Sequence, residues 1–121
     1  MKREIGDYIQ DIVDAMNKSA GFIENMSYDD FIEDEKTIFA MIRALEVVGE
    51  AVKNIPKKFR EKYPEIPWRD MAGMRDKLIH EYFGVNSVLL WKTAKEKMPL
   101  LKPLFEKMLE DFQNFEQKLI K

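Results

Sequence analysis

Trp68 to Asn86 read WRDMAGMRDKLIHEYFGVN, and this stretch carries the chain's single histidine, His80. Arg75 stands five residues before His80, Asp76 four before it, and Tyr82 two after it. Read as a helix through Tyr82, the stretch develops two stripes. Asp76 and His80 are four apart and share one face. Arg75 and Tyr82 are seven apart and share a neighbouring face, two turns from each other. Leu78 and Ile79 lie between and turn toward a core. A cation, a carboxylate, an imidazole and a phenol are thus gathered within eight residues, a set of groups suited to holding and cleaving a phosphodiester.

Outward from this stretch the chain reads as helices throughout. Upstream, Lys57 to Ile66 is a connector with a short helix around Phe59, and Pro64 and Pro67 rigidify the approach to Trp68. Downstream, Gly84 is a stop signal and Asn86 or Ser87 caps the next helix. That helix carries Val88, Trp91, Ala94 or Lys95, and Met98, and Pro99 and Pro103 kink or restart it. Leu101, Phe105, Met108, Phe112, Phe115 and Leu119 then recur at intervals of four, three, four, three and four. This is a heptad-like seam, whose apolar residues serve as core or as dimer contact.

Nearer the N-terminus, Ile5, Ile9, Ile12, Val13 and Met16 form one buried stripe over Lys2 to Ala20. Gly21 marks a break or bend. Ser27 with Asp30 reads as a cap opening a short turn of helix, and Asp34 caps a second long helix. Ile38, Ile42, Leu45, Val52 and Ile55 line that helix. Gly49 takes the vacant place on the stripe, a site of close helix packing, and Pro56 ends the run. Trp68 and Trp91 are assigned to the core. No strand-like alternation and no internal repeat is found. The expectation is one domain spanning 1–121, an all-α, antiparallel helical bundle of four to five helices.

Composition narrows the function classes. Apolar residues make up 45% and charged residues 35%, the balance of a soluble helical protein. With no cysteine and one histidine, a chain supplies neither a disulfide framework nor the ligand set of a zinc site. No cofactor is expected. The N-terminus MKREIGDYIQ has no apolar signal core and no run approaches a membrane span, so the expected location is cytoplasmic. The net charge of −2 removes bulk attraction to nucleic acid, and no DNA binding is expected. Any RNA contact must come from a local patch. Lys57, Lys58, Arg60 and Lys62 read as a solvated helix face. Arg69, Arg75 and Lys77 surround the histidine, and Arg69 and Lys77 are the candidate RNA-binding residues.

RNA carries its own nucleophile, the 2′-hydroxyl beside each phosphate. Cleavage needs a base for that hydroxyl, an acid for the leaving 5′-oxygen, and a cation for the charged transition state. His80 suits proton transfer because its pKa of about 6.5 lies near working pH. Arg75 suits the phosphate because its fork donates two hydrogen bonds and keeps its charge. Asp76, one turn before His80, can hold the imidazole tautomer. No metal is required by this scheme. Two proton-transfer groups are wanted and each chain offers one histidine, a shortage that a two-fold dimer would relieve. Each residue also has a structural alternative: His80 as a partner of the helix C-terminus, Arg75 paired with Asp76 or Glu81, and Tyr82 as an interface tyrosine.

The string Arg75, Asp76, three residues, His80, one residue, Tyr82 resembles the motif of the HEPN ribonucleases. With Trp68, Gly73, Met74, Gly84 and Trp91 around it, the chain resembles HepT-like toxins, encoded beside MntA-type nucleotidyltransferase antitoxins. The resemblance implies a HEPN-like bundle that forms a homodimer with its motifs facing a shared cleft. It implies a toxin with metal-independent endoribonuclease activity, with Arg75, His80 and Asp76 catalytic. It further implies silencing by a partner nucleotidyltransferase that transfers AMP from ATP to Tyr82. The other function class is a non-catalytic helical adaptor that binds a nucleotidyltransferase or nucleotide and uses the same motif for docking.

Overall fold

A computed structural model describes residues 3–80 and 87–120, excepting the side chains of Arg75, Leu78, Ile79, His80, Lys118, Leu119 and Ile120. Its helices are α1 (Ile5–Phe22), α2 (Tyr28–Glu33), α3 (Glu35–Lys53), α4 (Lys57–Arg60), α5 (Trp68–His80), α6 (Ser87–Lys92) and α7 (Met98–Ile120). A π-helical segment, Thr93–Lys97, joins α6 to α7, so one continuous helix runs from Ser87. No strand occurs among the described residues. The long helices pack as α1 on α3, α3 on α5, and α1 on α7, an all-α bundle as expected. No helix among the described residues is long and apolar enough to cross a membrane.

The helix ends follow from local chemistry. At the start of α1, Glu4 and Asp7 form a capping box, the Glu4 N–H donating to Asp7 Oδ2 at 2.9 Å. Ser27 and Asp30 form a second at α2, as their spacing predicts: the Asp30 N–H donates to Ser27 Oγ and the Ser27 N–H to Asp30 Oδ2, both at 3.1 Å. Asp34 caps α3 by accepting from the Thr37 N–H at 3.1 Å. That backbone bond, then the side-chain bond to Thr37, holds the Asp34 carboxyl below its usual range. Gly21, expected to mark a break or bend, lies one residue before the helix ends. The helix continues to Phe22, and the chain turns instead at Asn25, whose φ of 66° is left-handed. Asparagine tolerates that region better than most residues. The second long helix stops at Lys53, ahead of Pro56, because proline disfavours helical geometry in the residue before it.

The core is formed largely by the faces the periodicity selected, except on α6, where Leu90 is buried and the expected Val88 is exposed. Ile9, Ile12 and Met16 of α1, Met41, Leu45, Val48 and Val52 of α3, Met71 of α5, Leu90 of α6, and Phe105 and Met108 of α7 are buried. Each large apolar side chain contributes about 1.5–3 kcal/mol by leaving water. Ile55 lies past the end of α3 yet is buried with them. Trp91 packs its ring against Phe31, centroids 5.2 Å apart, and Trp68 meets Phe105 edge-on at 5.7 Å. Both tryptophans therefore border the core. The C-terminal seam is buried at Phe105 and Met108, half-buried at Phe112, and 59% exposed at Phe115, where α7 extends past its neighbours.

Pro99 does not restart the last helix, which runs through it. Proline has no N–H and crowds the carbonyl four residues back. The helix widens just before it: the Met98 N–H donates to the Thr93 carbonyl, five residues back, which is a π turn. Pro103 then sits inside α7.

Candidate active site

The approach to α5 is fixed by one indole. Trp68 Nε1 donates to the carbonyls of Tyr63 (3.0 Å) and Arg60 (3.2 Å), tying the start of the helix to the connector. The connector is held in turn to α7, since the Tyr63 hydroxyl donates to Asp111 Oδ2 at 2.8 Å. Burial first, then that bond, pushes the Tyr63 phenol up to about 12. Met71 anchors the inner face of α5, with Ala72 and Met74 packed beside the core. The helix that carries the motif is therefore rigidly seated at its beginning.

Arg75, Asp76 and His80 all lie on α5, within its last two turns. The side chains of Arg75 and His80, and all of Tyr82, fall outside the described residues. Asp76 is described. Its Oδ2 lies 3.6 Å from Nζ of Lys53, in the last turn of α3. This lysine was not singled out in the sequence. It stands 23 residues from Asp76, beyond the reach of local spacing.

Arg69 and Lys77, the other candidates on this helix, border one groove of about 610 Å³. The groove opens between α5 on one side and α6, the π segment and α7 on the other. Its apolar lining includes Leu45, Met71, Met74, Leu90, Met98 and Leu101. Gly73 lies on its α5 wall, where an added Cβ would find nothing within 4 Å. Lys97 enters from the π segment as a third cation, and Asp70 is the acid among the described lining residues. The run Lys57, Lys58, Arg60 and Lys62 lies on and just after α4, its lysines exposed as a solvated face would be. Lys62 stacks over its own neighbour, the Phe59 ring, at 5.8 Å.

A family model, Ribonuclease HepT-like, matches residues 8–108. The chain belongs to the HepT-like ribonuclease family. The match includes α5 and the string Arg75–Tyr82. Among similar proteins, "Probable ribonuclease HepT" of Thermococcus cleftensis is 56% identical over 108 residues, covering 89% of this chain and 98% of that protein. A "Putative RNase" of Methanocaldococcus jannaschii is 49% identical over 112 residues, covering 93% of each chain. A further "Putative RNase", of Caldanaerobacter subterraneus subsp. tengcongensis, is 48% identical over 88 residues, covering 73% of this chain and 79% of that one. No solved structure matches this HepT-like chain.

Proposed function

We propose that this HepT-like chain is a cytoplasmic, metal-independent endoribonuclease, the toxin of a HepT/MntA-type toxin–antitoxin pair. One observation carries the reading: Arg75, Asp76 and His80 lie on α5 and Tyr82 follows them in the sequence, in motif order, in a chain of the HepT-like ribonuclease family. The names of its relatives support RNA as the substrate class.

In this scheme His80 removes the proton from the 2′-hydroxyl, and the oxygen attacks the adjacent phosphorus. The bond to the 5′-oxygen breaks, and that oxygen leaves with a proton from a second acid. Arg75 holds the phosphate and offsets the charge that builds on its oxygens. Asp76 favours the reactive imidazole tautomer. The second proton-transfer group is His80 of another copy, brought across an isologous two-fold interface. AMP joined to Tyr82 by the partner nucleotidyltransferase would set a phosphate beside these cations and block the RNA backbone.

The test is cleavage of RNA by the purified protein with and without EDTA. The reading predicts equal rates. Loss of cleavage on chelation, restored by a divalent cation, replaces it with a metal-dependent mechanism.

A further inference from the structure

Three cations face the groove beside α5. Arg69 and Lys77 stand eight residues apart on that helix, about 12 Å along its axis. Lys97 faces them from the opposite wall. Among the described residues none of the three forms an ion pair. Neighbouring lysines are engaged elsewhere: Lys95 lies over the Trp91 ring at 5.2 Å, and Lys53 pairs with Asp76. In a chain of net charge −2, three cations without an ion-pair partner, set against the one carboxylate of Asp70, leave the described lining of this groove net positive and make a local site for anions.

The position of Lys97 is set by the π turn. Such a turn holds one residue more per hydrogen-bonded loop than an α turn, and so rotates the residues that follow. Single π turns within helices concentrate at functional sites. Thr93, which opens this one, is buried and donates its hydroxyl to the Leu89 carbonyl at 2.8 Å, so its polar group is already satisfied. Below the cations the lining is apolar and rich in methionine. Thioethers pack well against aromatic rings without demanding one ring over another. A groove of about 610 Å³ is of the size that takes one small-molecule ligand.

We infer that this groove is an RNA subsite that holds the nucleotide next to the scissile one, its phosphate between Lys77 and Lys97 and its base against Met74, Met98 and Leu101. The inference rests on the ribonuclease reading and adds the substrate's second point of contact. Lys77 stands one turn before His80 on the same helix, so a strand whose cut lies at the end of α5 would extend along this groove. Lys97 is then a substrate-binding residue contributed by the last helix.

The experiment compares wild type with Lys97→Gln on two substrates, a dinucleoside monophosphate and a longer oligoribonucleotide, with Lys58→Gln on α4 as control. For the longer substrate KM should rise about tenfold with kcat unchanged, and the salt dependence should flatten by about 0.7 in log–log slope, the share of one single-strand phosphate contact. The dinucleotide, which has no phosphate besides the scissile one to set against Lys97, should be cleaved equally by both proteins. An unchanged KM for the longer substrate overturns the inference. So does equal impairment on both substrates, or an altered assembly mass by light scattering. If wild type cleaves neither substrate, fluorescence anisotropy with the longer RNA decides. Weaker binding by Lys97→Gln keeps the groove and removes the ribonuclease reading, and equal binding removes both.

Discussion

The ammonium of Lys53 lies 3.6 Å from the carboxylate of Asp76, joining the last turn of α3 to the motif helix α5. Both side chains are partly in water, 38% and 58% exposed. A pair of this kind contributes little to stability, so whatever Asp76 contributes to catalysis can be separated from folding. We predict that Lys53→Met lowers the unfolding free energy by no more than about 0.5 kcal/mol. A double-mutant cycle with Asp76→Asn should give a coupling of about 0.2–1 kcal/mol that fades in high salt. Asp76→Asn should still cut RNA cleavage by roughly tenfold or more. Urea unfolding and initial rates on the same samples check this. A coupling above about 2 kcal/mol would make the pair a structural tie.

The Tyr63 phenol holds its proton to about 12 because it is partly buried and bonded to Asp111. An ordinary tyrosine releases it near 10. The folded-state pKa is the higher, so the stabilisation is complete below the unfolded value and is lost as pH rises from about 10 through about 12. Tyr63→Phe should cost about 1 kcal/mol at neutral pH. It should also remove this decline from the alkaline edge of a stability–pH profile measured by urea unfolding. A decline of the same size in the variant would assign it to another group.

Two glycines of α1 should respond oppositely to alanine. A Cβ on Gly6 would lie 2.6 Å from Phe112 Cε1, on a ring already set edge-on to Phe59 at 6.1 Å. A Cβ on Gly21 would meet nothing within 4 Å. Gly6→Ala should therefore cost about 1 kcal/mol through displacement of the ring, whereas Gly21→Ala should gain about 0.5–1 kcal/mol from helix propensity. Thermal and urea melts of the two variants measure the signs directly.

The proposed control by the partner enzyme has a mass signature. Incubation with an MntA-type nucleotidyltransferase, ATP and Mg²⁺ should add AMP units to the intact chain, abolish cleavage, and leave Tyr82→Phe unmodified. Full inhibition with no change of mass would indicate an antitoxin that covers the site instead.

The all-α class was legible because apolar spacing dominates here. The stripes at Ile9, Leu45 and Phe105 are core, and the capping residues Ser27 and Asp34 sit where their side-chain chemistry places them. The departures have local causes. Gly21 is permissive of a break but does not force one, and Asn25 supplies the left-handed turn. The π turn before Pro99 has no composition of its own and follows from a missing N–H in a helix that packing keeps whole. Around the candidate site, Arg69 and Lys77 were legible because they share a helix with the motif. Lys53 and Lys97 reach it from α3 and the π segment, and such long-range approaches leave no mark in local spacing.

In the proposed reaction an internal 2′-hydroxyl attacks the phosphorus with assistance from His80. The most direct test is an oligodeoxynucleotide carrying a single ribonucleotide, incubated with wild type and His80→Ala. Wild type should make one cut, on the 3′ side of the ribonucleotide, leaving a 2′,3′-cyclic phosphate, and His80→Ala none. Cuts at deoxynucleotides, or undiminished cleavage by His80→Ala, would contradict it.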